Sequence, residues 1–177
     1  HDLRTPLTRL RLRLADIPDA GLQQAMQKDL AEMEAMIEAT LSYLRGQDTG
    51  EAVRQLDLGS LLKTVVDEAR DGGHDVVLDF SGTLIVVGRH LSLKRALTNL
   101  VGNAVRFSPK VVVTARRLGD TGVVEIADNG PGIPADKLEA VLEPFVRLDS
   151  SRNRESGGFL LCLSIAKTSI EADGGAL

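Results

Sequence analysis

Residues 122–134, Gly-Val-Val-Glu-Ile-Ala-Asp-Asn-Gly-Pro-Gly-Ile-Pro, carry the reading that decides the fold. The β-branched run predicts a strand over 122–127, and the strand runs straight into an acid, Asp128, followed by Gly and Pro turn residues. Immediately upstream, 110–116 is a second Val-rich strand, and 91–107 has the apolar period of a helix. Further out, 56–69 reads as an amphipathic helix and 75–80 and 84–87 as short strands. A short helix is expected over 138–142 and a last one over 163–172. Strands and helices mix here without a regular βαβ alternation, which predicts an α+β fold, a two-layer α/β sandwich.

Residues 1–46 follow a different rule. Leu3, Leu7, Leu10, Leu14 and Ile17 recur in steps of four and three, the seam of a coiled coil or bundle. Ile17-Pro18-Asp19-Ala20-Gly21 is a turn. Met26, Leu30, Met33, Ile37, Leu41 and Leu44 then repeat the seam on a second helix. A hairpin of this kind buries one stripe per helix, and pairing two copies into a dimeric four-helix bundle would cover both stripes. Residues 47–55 are polar and aperiodic and read as a linker. The expected organisation is a hairpin at 1–46, a linker at 47–55 and a mixed domain at 56–177.

Bulk properties exclude several classes. The net charge of −4, with no long basic block, argues against nucleic acid as a partner. A single Cys excludes an intrachain disulfide and a Cys-rich metal site, and fits a reducing compartment. Aromatics are 3% with no Trp, so the core must be built from Leu, Val, Ile and Ala. No apolar run reaches the roughly 18 residues needed to span a bilayer. The chain opens on His1 and stops at Gly174-Gly175-Ala176-Leu177, where a further strand is expected; a membrane anchor in a longer parent protein fits that reading.

Four groups of residues carry chemistry. His1 and Thr5 are i and i+4 on one helix face, off the leucine seam. A neutral imidazole there can accept a phosphoryl group, Asp2 can orient it, and Pro6 would kink the helix just after it. Alone, His1 reads as a surface histidine near a chain end. Asn99 and Asn103 are also i and i+4. Carboxamide oxygens can join Mg²⁺, and Arg106 is within reach of a phosphate; alone, these are polar residues on a solvated face. Asp128 at a strand end can accept a hydrogen bond from the exocyclic amine of adenine, which guanine lacks, and Gly130 and Gly132 permit close backbone approach. The same residues also suit a plain turn. Glu143-Pro144-Phe145-Val146-Arg147 reads as a helix-ending Pro with a buried Phe. Arg147, Arg152 and Arg154 add positive charge that either meets phosphates or is solvated. No Walker-type phosphate loop is present.

Taken in order, His1–Leu7, Asn99–Ala104, Asp128–Pro134, Glu143–Arg147 and Gly157-Gly158 resemble the H, N, G1, F and G2 boxes of the sensor histidine kinases of two-component signalling. The first string is most similar to the osmosensor-like subgroup. The resemblance implies a dimerisation and histidine-phosphotransfer domain followed by an ATP-binding domain of the Bergerat type, with ATP and Mg²⁺ as cofactors. It implies autophosphorylation of His1 assisted by Asp2, transfer to an Asp of a response regulator receiver domain, and Thr5-supported phosphatase activity toward that regulator. Asn103 is the implied Mg²⁺ ligand. Asn99 and Arg106 are supporting contacts, Phe107 packs beside the nucleotide, and Asp128 reads adenine with Gly130 and Gly132 beside it. Phe145, Gly157 and Gly158 belong to the lid. The implied partners are a second copy and the regulator, and the implied location is the cytoplasmic portion of a bacterial inner-membrane protein.

Two departures stand out. Leu160 and Cys162 occupy positions where the family's G2 box carries glycines that let backbone N–H groups approach phosphate. Cys162 itself reads as a small buried residue rather than a nucleophile. The connection Phe107-Ser108-Pro109 is also short for the family. The first departure keeps open a degenerate or phosphatase-dominant relative with weak ATP binding. Another Bergerat-fold ATPase is the remaining alternative, disfavoured by the His-Asp-x-x-Thr-Pro string at the start.

Overall fold

The computed structural model describes residues 4–15, 17–27, 29, 30, 33, 37, 50–143 and 162–177. Helix α1 spans Arg4–Leu14. A second helix, α2, covers 20–27, and 29, 30, 33 and 37 are also helical. Asp19 starts α2, accepting the Leu22 N–H at 2.9 Å, while Gln23 Nε2 reaches back to the Leu14 carbonyl at 3.0 Å. Leu7, Leu14 and Leu30 are buried together, with Ile17 and Ile37 packed against them. Leu10, Met26 and Met33, from the same seam, remain exposed. Leu3, Leu41 and Leu44 lie outside the described residues.

The mixed domain opens with strand β1 (Arg54–Asp57) and helix α3 (Leu58–Asp71). Asp57 ends the strand and caps the helix. Its Oδ1 accepts the Gly59 N–H at 3.0 Å and its Oδ2 accepts the Ser60 hydroxyl at 2.7 Å. Oδ1 also takes the Leu84 N–H at 2.9 Å, which ties the cap to the next layer. Leu58, Leu61, Leu62, Val65 and Val66 form the buried stripe of α3. Strands β2 (Asp75–Asp79) and β3 (Ile85–Gly88) follow, then helix α4 (His90–Phe107), strands β4 (Lys110–Leu118) and β5 (Thr121–Asp128), and helix α5 (Cys162–Ala172).

The strands form two sheets. β2, β4 and β5 lie side by side in that order, β2 parallel to β4 and β4 antiparallel to β5. β1 and β3 form a separate antiparallel pair. Val76, Val111 and Val113 point inward against Leu62, Val66, Leu97, Val101 and Ala104 of the helices, while Val77 faces out. Helices therefore cover one face of the three-stranded sheet, which is the two-layer arrangement expected from sequence.

Two differences from the sequence reading have physical causes, and one expectation is met. Arg54 and Gln55, read as the end of the linker, and Leu56 and Asp57, read as the start of the first helix, are strand β1. Their partners lie in β3, and no local pattern announces a pairing made at that distance. The helix expected over 138–142 is instead two 3₁₀ turns, Ala135–Lys137 and Ala140–Leu142. Neither buries a residue, so no apolar face sustains a longer helix. The connection after Phe107 is short: Ser108 and Pro109 alone join α4 to β4.

Candidate functional site

Strand β5 alternates its faces, so Gly122, Val124, Ile126 and Asp128 share one side. Helix α4 presents Leu93, Ala96, Leu97, Leu100, Asn103 and Ala104 at helical spacing to that same side. Between them is a partly open cleft of about 330 Å³, lined by these residues and closed further by Leu163 and Ile170 of α5 and the C-terminal Ala176 and Leu177. The cleft is apolar along its length. Its described polar side chains are Asn103 from the helix and Asp128 from the strand end. An apolar slot with a few placed polar groups is what a planar, partly polar ligand needs.

Sequence reasoning selected Asn103 and Asp128 separately, and the structure brings both to one cavity. Asn99, one turn earlier on α4, is half-buried and is not among the lining residues. Arg106 is half-buried with its guanidinium 5.6 Å from the centroid of the half-exposed Phe107 ring, a cation–π distance. Gly130 donates its N–H to Asp128 Oδ1 at 2.8 Å and packs so tightly that a Cβ would stand 2.8 Å from the Phe107 carbonyl oxygen. Gly132 has φ +73°, in the left-handed region that glycine favours. Thr5 is exposed on α1. His1, Asp2, Phe145, Gly157, Gly158 and Leu160 lie outside the described residues, as do Arg147, Arg152 and Arg154. Cys162 opens α5.

The apolar walls were missed. Leu100, Val124 and Ile126 line the cleft, yet only Asn and Asp stood out in the sequence. The signal was available: every second residue of 122–128 projects to the side that bears Asp128. Ser108 was noted only as part of a short connection. It is buried and bonded to Asn129, inside the Asp128–Gly132 turn.

Asn103 offers a hard carboxamide oxygen, the donor type Mg²⁺ takes, and Asp128 stands at the other edge of the cleft. Among the described residues no three His, Cys, Asp or Glu side chains cluster as a metal cage. One protein oxygen suits an ion that arrives with phosphate oxygens and keeps its waters.

Residues 88–177 match the family model for histidine kinase-, DNA gyrase B-, and HSP90-like ATPases. The chain is 34% identical over 175 residues to the sensor histidine kinase GtrS of Pseudomonas aeruginosa, covering 99% of this chain and 36% of that protein. It is 35% identical over 187 residues to the sensor protein RstB of Escherichia coli, covering 100% of this chain and 43% of that one. The chain thus spans less than half the length of these curated relatives. Among solved structures, full-length ShkA in complex with AMPPNP superposes with a TM-score of 0.72 at 25% identity, over 99% of this chain and 40% of that chain. The mycobacterial sensor histidine kinase MprB gives 0.59 at 26% identity, over 71% and 83%.

Proposed function

The chain belongs to the histidine kinase-, DNA gyrase B- and HSP90-like ATPases and, within them, to the histidine kinase family, and from that premise we propose that it is the catalytic core of a sensor kinase that moves the γ-phosphoryl group of ATP to His1. The observation that carries the proposal is the shared cleft of Asn103 and Asp128. Asp128 Oδ1 is engaged by the Gly130 N–H, so Oδ2 is assigned to the exocyclic amine of adenine. Leu100, Val124 and Ile126 supply apolar walls for the base, and Phe107, half-exposed and outside that lining, is assigned a place beside the nucleotide. The Asn103 carboxamide oxygen would hold Mg²⁺, which when bound neutralises phosphate charge. Asn99 and Arg106 support the phosphates, and Gly130 and Gly132 give the turn its close approach. Phe145, Gly157 and Gly158 contribute the lid.

In the chemical step a ring nitrogen of neutral His1 attacks the γ-phosphorus, a P–N bond forms, the bond to the β–γ bridging oxygen breaks, and ADP leaves. Asp2 orients the imidazole. The phosphoryl group then passes to an Asp carboxylate of a response regulator receiver domain, and Thr5 supports its later hydrolysis. The exposed seam residues Leu10, Met26 and Met33 support assembly of the 1–46 hairpin into a dimeric four-helix bundle. The full protein is placed at a bacterial inner membrane with this core on the cytoplasmic side. Among the described residues no helix is long and apolar enough to cross a membrane.

The sequence at Leu160 and Cys162 favours one second reading, a phosphatase-dominant form with weak ATP binding, because side chains replace glycines where phosphate is approached. One experiment separates the two. A chain extended upstream of His1 is incubated with γ-labelled ATP and Mg²⁺ beside its His1→Gln variant, and acid-labile phosphate is scored. Label lost in the variant is the expected result. A folded dimer that takes no label contradicts the kinase reading.

A further inference from the structure

Ser108 is 5% exposed and sits in the two-residue connection between α4 and β4. Its Oγ accepts the Asn129 N–H at 3.1 Å and the Lys110 N–H at 3.2 Å. Its proton has two acceptors within reach, the Lys110 carbonyl and Asn129 Oδ1. A hydroxyl offers one donor and two lone pairs, so both lone pairs are filled and the proton is engaged whichever acceptor it chooses. Lys110 alone would be an ordinary loop-closing contact. Asn129 is different, because it lies between Asp128 and Gly130 in the turn that edges the cleft.

A second, independent contact links the same two segments. Gly130 packs against the Phe107 carbonyl closely enough to exclude a Cβ, and its N–H holds Asp128 Oδ1 at 2.8 Å. The end of the Asn103 helix and the connection after it therefore grip the Asp128 turn twice, once through the Ser108 hydroxyl and once through the Phe107–Gly130 packing. Neither contact touches the cleft itself.

We propose that Ser108 is a positioning residue for nucleotide: acting through Asn129, it fixes the Asp128 carboxylate opposite Asn103 so that the cleft distinguishes adenine from guanine. The inference rests on the nucleotide reading above. Adenine offers an amine donor where guanine offers a carbonyl acceptor, so a displaced Asp128 loses its advantage for ATP and not for GTP. A general loosening of the cleft would weaken both nucleotides alike.

The test is the affinity of the full 177-residue chain for ATP and for GTP, by calorimetric titration, with the melting temperature of each nucleotide-free variant recorded alongside. Wild type is expected to prefer ATP. Ser108→Ala is expected to lower the ATP:GTP preference by about tenfold, with ATP affinity carrying most of the loss. Ser108→Thr keeps the oxygen, and the extended backbone at this position (φ −140°, ψ 135°) accepts a β-branched residue; it should restore the preference to within about threefold of wild type. Asn129→Ala, at an exposed position, removes only the side-chain acceptor and should lower the preference by about threefold. An unchanged preference in Asn129→Ala overturns the proposal even if Ser108→Ala fails to fold. Equal losses for ATP and GTP in Ser108→Ala, or no rescue by Thr, also overturn it while leaving the nucleotide reading intact. A wild-type chain that binds neither nucleotide removes that reading and this proposal together.

Discussion

In the sandwich, Leu62, Val66, Val111 and Val113 are completely buried, whereas in the hairpin the seam residues Leu10, Met26 and Met33 stand 39–43% exposed beside buried Leu7, Leu14 and Leu30. The sandwich core is continuous across α3, α4 and the three-stranded sheet. Among the described residues the hairpin core is Leu7, Leu14 and Leu30 with the partly buried Ile17 and Ile37. The sandwich closes a continuous core even though single residues such as Val87, Leu91 and Leu118 stay exposed on its surface, whereas the described part of the hairpin leaves seam residues themselves half covered. The two regions suit different proposed roles. A nucleotide cleft needs walls fixed in advance, and it sits on the region with the continuous core. The proposed phosphoacceptor, His1, belongs to the region whose exposed seam residues the proposed dimer would cover.

The comparison breaks most sharply in the sandwich core. Leu62→Ala removes a fully buried side chain and should cost about 2–5 kcal/mol, seen as a large fall in the melting temperature of the sandwich and loss of ATP binding. Retained stability there would mean the core is less continuous than described. Leu30→Ala acts on the hairpin, where neighbours can collapse into the space, and should cost about 2 kcal/mol, the low end for such a change. Helical signal and dimer content should fall while ATP affinity holds. A parallel loss of ATP affinity would contradict the separation of roles.

Smaller effects sharpen the comparison inside the sandwich. Gly130→Ala places a methyl 2.8 Å from the Phe107 carbonyl oxygen, so the turn must shift; it should weaken ATP binding about tenfold and lower the melting temperature by less than Leu30→Ala does. Asp57 supplies the smallest effect and a pH signature. The Leu84 N–H first, and then the Ser60 hydroxyl, hold its carboxyl below the ordinary 3.8, outweighing the opposing effect of burial. A depressed folded pKa contributes stability that is present above the ordinary value and is lost as pH falls through the folded one. Urea melts at pH 5 and pH 3 should therefore converge in Asp57→Asn relative to wild type. An identical acid loss in both would remove Asp57 from the account.

Most of the sandwich was legible because its signals are local. The Val runs of β4 and β5 and the apolar stripe of α4 are patterns that burial on one face imposes. Strand β1 was not legible, since Arg54-Gln55-Leu56-Asp57 becomes a strand only by pairing with 85–88. In the site, Asn103 and Asp128 were readable as unusual polar residues in recognisable strings. Leu100, Val124 and Ile126 were hidden because a cleft wall and a core residue look alike in sequence. Ser108 was hidden for another reason: its importance lies in a hydrogen bond to Asn129 across the fold, which no spacing encodes.

The central claim is that ATP enters the cleft between α4 and β5. Titrating isotope-labelled chain with ADP and Mg²⁺ and following backbone amide shifts tests it most directly. Saturable changes are expected to concentrate at Leu100, Asn103, Ile126, Asp128 and Gly130, with β1 and β3 quiet. Saturable changes that centre elsewhere, or none at millimolar nucleotide in a folded chain, would contradict it.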